Sequence, residues 1–397
     1  MATGAAVAQA FGRFTYGVLL PAVRDDFGIS NTMAGSVGAL NVGAYLAGTL
    51  AVAAVSSRLR LITVMRIGFL FSTAGLTMAA ISPNVGVFGA SMLLSGFGGA
   101  CIWIPAPVIA ADAMAPERRA MAIGLMGSGI GAGIVFTSQL SSLVRSVAGD
   151  HAWRTVYGVE AGIAVVVLFV TLSLLGHDQP HPGNRATSNK ASKDLGGFNS
   201  LRQMRGWVPL TLSYTTFGLM YLLVIGYLTT RLEDDSGWSG AKASLAFTML
   251  GVAVIAGGPM FVAIRRRLGP VRSLALAFSC WATLAIAVLG GWTIPTLLAA
   301  MGLGLLFSGI PSMITVFVVE NTTSDSYGPS FAAATLAFGI AQMISPQLGG
   351  LIADLSGSFT LVFALSSGLG IVGAIVAIQM PSTAVNYAKT PATTQRN

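Results

Sequence analysis

The sequence is poor in charge. Of its 397 residues, 9% are Asp, Glu, Lys or Arg and 54% are hydrophobic, whereas a soluble domain carries about 25% charged residues. That excludes an ordinary soluble domain and indicates a polytopic membrane protein. Cysteine is scarcer still: Cys101 and Cys280 stand apart inside apolar runs, where a thiol acts as a small packing residue. Neither a disulfide framework nor a cysteine metal site follows. The three histidines, His151, His177 and His181, fall in polar stretches too scattered for a ligand cluster. Gly96, Gly98 and Gly99 make no phosphate loop, since no strand precedes them and no Lys-Ser/Thr follows. No nucleotide-binding domain, catalytic triad or metal cage is legible, so neither an enzyme nor a cofactor is expected.

What the chain does have is an uneven excess of basic charge. Its 22 Lys and Arg against 14 Asp and Glu give a formal net charge of +8, which could suggest a nucleic-acid partner. Placement decides otherwise. On the topology below, 16 basic residues fall on one side, among them Arg58, Arg60, Arg118, Arg119, Arg266 and Arg267. Only 5 fall on the other, Arg24, Arg145, Arg154, Arg231 and Lys242. Basic loops stay cytoplasmic. The excess is therefore a topogenic signal, no nucleic acid is expected, and both termini are predicted to be cytoplasmic, with the chain crossing its membrane as a multi-pass protein.

Apolar runs of about 20 residues cross a hydrocarbon layer of about 30 Å as helices. Twelve can be traced, near 2–23, 32–55, 61–82, 86–111, 119–147, 154–176, 206–230, 239–264, 271–291, 294–319, 329–352 and 359–380. The first has no basic leader and exceeds a signal peptide's apolar core, so it is expected to remain a span. Residues 177–205, rich in Asn, Ser, Lys, His and Pro, read as a linker. The organisation is thus all-α: a six-helix bundle at 1–176, a cytoplasmic linker at 177–205, a second six-helix bundle at 206–380 and a cytoplasmic tail at 381–397. A shift of 206 residues carries Phe11-Gly12 onto Phe217-Gly218, Ile104-Pro105 onto Ile310-Pro311, and Trp153-Arg-Thr-Val-Tyr157 onto Phe359-Thr-Leu-Val-Phe363. Two parallel halves of this kind imply a site at their interface.

With this organisation the whole chain resembles the major facilitator superfamily. Its signature between the second and third helices survives in degraded form as Ser56-Ser57-Arg58-Leu59-Arg60, and in the second half as Arg265-Arg-Arg-Leu-Gly269. The usual aspartate is missing from both. Asp112-Ala-Met-Ala-Pro-Glu-Arg-Arg119 and Trp153-Arg154 are similar to further family features. More narrowly, Gly12-Arg13-Phe14-Thr15-Tyr16-Gly17 with Leu19-Leu20-Pro21-Ala22, supported by Ala34-Gly35 and Gly43-Ala44-Tyr45-Leu46, resembles the start of the bacterial YbfB/YjiJ-like transporters. The resemblance implies twelve helices in two pseudo-symmetric bundles that rock around a central cavity lined by helices 1, 4, 7 and 10.

Arg13 is the residue that needs explaining. An unpaired arginine at mid-bilayer costs from about 3 to more than 10 kcal/mol, so it faces a watery cavity or a counter-charge. It could also snorkel or cap helix carbonyls. However, it is about eleven residues from either end of its run, roughly 16 Å at 1.5 Å per residue, and reaches the interface poorly. Gln9, Tyr16 and Gly17 share its helical face. A guanidinium can grip a carboxylate through two parallel hydrogen bonds. The spacing from Arg13 to Pro21 resembles that around the substrate arginine of organic-phosphate antiporters. Their second arginine has no match here, the repeat position being Leu219, which favours a monoanion over a phosphate ester.

Glu160 is the other ionisable group well inside a span. It is a candidate for proton coupling, for the counter-ion of Arg13, or for a solvated acid paired with Arg154 or Arg145. Asn41, Tyr45, Trp103, Gln139, Tyr214, Phe217, Tyr221 and Gln342 are candidates for a pocket lining, each with packing as the plain alternative. The five glycines from Gly124 to Gly133 resemble a loose antiporter motif, and equally a close helix contact.

The expected function is secondary transport of a small organic solute, a monoanion such as a carboxylate, by a monomer driven by a proton or counter-solute. Proton-driven efflux of amphipathic compounds is the alternative within transport. A transporter-like receptor that binds without turnover is the alternative outside it.

Overall fold

A computed structural model describes residues 2–55, 58–112, 115, 119–174 and 197–381. Arg118 and most of the linker and tail lie outside the described residues. Every regular element among those described is helical: α1 Ala2–Ala5, α2 Arg13–Phe27, α3 Asn31–Val55, α4 Leu61–Ala80, α5 Val85–Trp103, α6 Ala106–Asp112, α7 Arg119–Ala148 and α8 Trp153–Leu174 in the first half. The second half has α9 Phe198–Gln203, α10 Trp207–Ile225, α11 Gly240–Leu268, α12 Pro270–Val288, α13 Thr293–Asn321, α14 Ser324–Ser356 and α15 Thr360–Ile378. Ten helices among the described residues are long and apolar enough to cross a membrane: α3, α4, α5 continued to Ala110, α8 and α10 through α15. The other two expected spans are α7 and the pair α1 and α2.

The helix ends follow from local chemistry. α2 stops at Gly28, whose φ of 60° only glycine adopts cheaply, and the N–H groups of Gly28 and Ile29 bond back to Asp25 and Arg24. α5 and α11 start at Asn84 and Ser239, whose side chains accept from Val87 and Lys242. α12 starts on Pro270, pre-set for the first helical position. Large apolar side chains such as Phe169, Leu298, Leu361 and Ile375 face outward, as a lipid-solvated bundle requires.

The first run departs from expectation. It is not one helix: α1 runs through a π-helical stretch at Ala6–Ala10, then the chain is extended at Phe11 and takes φ 76° at Gly12 before α2 begins. The repeat-related α10 is unbroken through Gly218. The two halves meet along two seams, α3 against α14 and α7 against α11.

At one end of the bundle these halves are tied by charge. Arg24 of α2 grips Asp234 with two nitrogens at 2.5 and 3.1 Å. Arg145 of α7 grips both oxygens of Glu233 at 2.7 and 2.6 Å and also reaches Asp150. Asp354 of α14 accepts from the backbone of Asn31 and Thr32 and from the Thr32 hydroxyl at the start of α3. Gly240 permits the approach, because a Cβ there would overlap the Arg145 guanidinium. At the other end, Arg58, Arg60, Arg266 and Arg267 are exposed, while Arg265 pairs with Glu320 inside the second half.

Candidate binding site

Because the chain breaks at Gly12, Arg13 is the first residue of α2. A cation is disfavoured at a helix N-terminus by about 0.3–1 kcal/mol. Glu160 stands at the same helix end. It is fully buried, and its Oε1 accepts from the hydroxyls of Thr15 at 2.6 Å and Thr137 at 2.5 Å. Glu160 therefore joins α8, α7 and the broken end of α2. It makes no ion pair with Arg13 among the described residues, nor with Arg145 or Arg154, which pair elsewhere. Its Oε2 is buried without a protein partner.

Arg13 instead points across the interface of the halves. Its Nη2 donates to Gln342 Oε1 of α14 at 3.1 Å, and its guanidinium stands over the Tyr45 ring, 5.6 Å from the centroid. The Tyr45 hydroxyl accepts from Gln9 at 3.1 Å. The guanidinium Nε is buried without a partner. Arg13 lines one cavity and contacts two wall residues of another. One of about 40 Å³ is lined by Arg13, Tyr16, Asn41, Tyr227 and Pro346. The other, about 290 Å³, runs between α3 and α14 and has Tyr45 and Gln342 in its wall. Val42 borders both.

The expected lining residues divide. Arg13, Tyr16, Asn41, Tyr45 and Gln342 converge on these cavities. Tyr16 and Asn41 are, however, held by backbone carbonyls, those of Ala34 at 2.7 Å and Met92 at 3.2 Å. Tyr214, Phe217 and Tyr221 of α10 form a stacked bank behind Phe338 of α14: Tyr214 and Phe338 lie 4.2 Å apart at 13°, Phe217 and Phe338 5.9 Å apart at 4°. The three α10 residues line neither cavity, and two further placements also differ from expectation. Gln139 is exposed and bonds to Thr248 at 2.8 Å on the α7–α11 seam, so it ties helices and does not reach Arg13. Trp103 packs against the core at the end of α5 and lines neither cavity. Sequence reasoning did not single out Phe14, Phe307 or Phe338. Tyr221 and Phe307 are 5.3 Å apart, and Phe14 meets Phe307 edge-on at 5.6 Å. An aromatic in an apolar run carries no mark of which face it takes, so no local signal could have found them. Among the described residues no group of His, Cys, Asp and Glu could hold a metal ion.

Three comparisons bear on the chain. The family model described as Major Facilitator Superfamily matches residues 2–279. An uncharacterized MFS-type transporter of Bacillus subtilis, YtbD, is 25% identical over 365 residues, covering 90% of this chain and 88% of its own. Human monocarboxylate transporter 11 is 25% identical over 407 residues, covering 95% and 82%. Among solved structures, a D-xylose-proton symporter superposes with a TM-score of 0.73 at 14% identity, covering 96% of this chain and 97% of that one.

Proposed function

Since the chain belongs to the major facilitator superfamily of membrane transporters, we propose that it is a secondary transporter whose site at Arg13 takes a small organic monoanion, a carboxylate first of all. The observation that carries this reading is the partnering of Arg13. A guanidinium between the two halves has an amide oxygen and a ring face as its neighbours and, among the described residues, no ion-pair partner. An anion entering from the adjoining cavity would find a charge left without a counter-ion, and bidentate grip would orient it. The name of the human relative supports the same ligand chemistry.

In this reading twelve spans, with α1 and α2 counted as one broken span and α7 as another, form two bundles. These rock about Arg13 to expose it alternately to each side of a bacterial inner membrane, both termini being cytoplasmic and the protein monomeric. The narrower likeness to YbfB/YjiJ-like transporters is consistent with this and leaves the solute open. The ion locks at the Arg24 end are then the closed outer gate, which fits the sparse basic charge there.

Glu160 favours a second element, proton coupling. A carboxylate inside a span is costly unless neutral or well paired, and this one sits against the helix end that carries Arg13. The same acid would serve proton-driven efflux of amphipathic compounds.

The test is a thermal-shift screen of purified protein against short and aromatic monocarboxylates, sulfonates and cationic drugs, followed by counterflow of the best acid in liposomes. Arg13→Gln and Arg13→Lys are expected to lose transport. Wild-type rates in both variants would end the proposal.

A further inference from the structure

The cavity that adjoins the two partners of Arg13 is polar at one end and apolar along its body. Tyr45 and Gln342, the two residues that touch the guanidinium, stand in its wall together with Leu46, Leu336, Phe331 and Phe338. Thr49 and Thr335 add two hydroxyls, and that of Thr49 donates to the Tyr45 carbonyl at 3.0 Å. The Thr335 hydroxyl is unpartnered and could take one such bond, but a sugar-like solute would leave most of its hydroxyls without partners here, at a cost in affinity for each. An apolar body would lose nothing by leaving water.

Size narrows the class. A protein cavity of about 150 Å³ lined by Leu, Ile and Phe holds one benzene ring, and this cavity has about 290 Å³. Its aromatic wall is also built in advance. Phe338 is fixed by stacking on Tyr214 and lies parallel to Phe217, so a flat guest meets a plate that need not be ordered on binding.

We propose that the substrate is a monocarboxylate with an aromatic body of about two fused rings, its carboxylate on Arg13 and Gln342 and its rings between α3 and α14. This rests on the reading of Arg13 as the anion site and adds the chemistry of the rest of the molecule. Each buried methylene equivalent is worth about fourfold in affinity, so the body outweighs the difference between one small head group and another.

Calorimetric titration of the purified full-length protein with naphthoate, acetate and the neutral naphthylmethanol tests it. Naphthoate should bind at least about 100-fold more tightly than acetate. Arg13→Gln should weaken naphthoate to the level of naphthylmethanol. Ala332→Phe, which fills the cavity from α14, should erase the difference between the two acids, and Leu46→Phe from α3 should do the same should the first variant fold poorly. Equal binding of acetate and naphthoate, both dependent on Arg13, would overturn the aromatic class and leave the anion site standing. Failure of both acids to bind, or binding indifferent to Arg13→Gln, would overturn the anion site and this proposal with it.

Discussion

Arg13 donates a 3.1 Å hydrogen bond to Gln342, 329 residues away in the other half of the molecule. Gln342 stands in the wall of the larger cavity, and its amide neutralises none of the guanidinium's charge. Replacing Gln342 by Glu would install a resident carboxylate at the same distance. In a low-dielectric site such a pair is strong enough to compete with a ligand anion. Gln342→Glu is expected to lower affinity for a monocarboxylate by at least about tenfold, or 1.4 kcal/mol, whereas Gln342→Ala loses less. Titration of both variants with the same acid checks the order.

Gly12 is where the first run breaks, and two effects hold it as glycine. Its φ of 76° is strained for any residue with a Cβ, by about 1–2 kcal/mol. A Cβ would also sit 3.2 Å from Ser95 Cβ. Gly28, with φ 60° and nothing within reach of a Cβ, isolates the first effect. Gly28→Ala should therefore cost about 1 kcal/mol in thermal unfolding and leave ligand affinity alone. Gly12→Ala should cost more and also weaken binding, because crowding moves the residue before Arg13.

Legibility followed the range of the interaction. Ten of the span positions and the isolated arginine are local or periodic features, and they read directly from the sequence. Arg13, Tyr45 and Gln342 could be nominated because a polar side chain inside an apolar run is itself a signal. Their meeting could not be read, since it joins α2, α3 and α14. The break at Gly12 was hidden for a related reason: Phe11-Gly12 has the same letters as Phe217-Gly218, yet only the first pair faces an acid. Glu160 stands opposite Gly12, while the matching Ser366 donates to the Met220 carbonyl of an intact α10 at 2.8 Å and accepts from Trp281. Gln139 carries the same polar signal as Gln342 and serves the other seam instead, showing that the signal marks an interface before it marks a site.

Glu160 can be separated into acceptor and proton carrier. Glu160→Ala removes the acceptor of two buried hydroxyls. The two hydroxyls are 3.2 Å apart and can bond each other, so at about 1–3 kcal/mol for an orphaned group a loss of about 1–3 kcal/mol is expected in thermal unfolding. Glu160→Gln keeps an oxygen for the same donors, so a loss of about 1 kcal/mol or less is expected. If the carboxyl carries a proton during transport, the Gln variant should bind the acid normally and transport it with no dependence on pH. A pH profile of liposome uptake that matches wild type would assign Glu160 to the fold alone.

The two ion locks at the Arg24 end should differ in strength by burial. The Arg145 side chain is 1% exposed and Glu233 12%, whereas Asp234, the partner of Arg24, is 31% exposed. An exposed pair is worth at most about 1 kcal/mol, but stripping one member from a buried pair costs about 3–5 kcal/mol because the other charge stays uncompensated. Arg145→Gln leaves Glu233 without its guanidinium wherever the halves are closed, and opening returns that carboxylate to water. The variant should therefore shift the population toward separation of this face, and Asp234→Asn should barely move it. Spin labels on Ser30 and Leu355, both exposed at this end and on opposite halves, report the outcome by pulsed dipolar spectroscopy. A longer-distance population should appear for Arg145→Gln and stay minor for Asp234→Asn. Equal effects of the two variants would mean that burial does not set the strength of the closure.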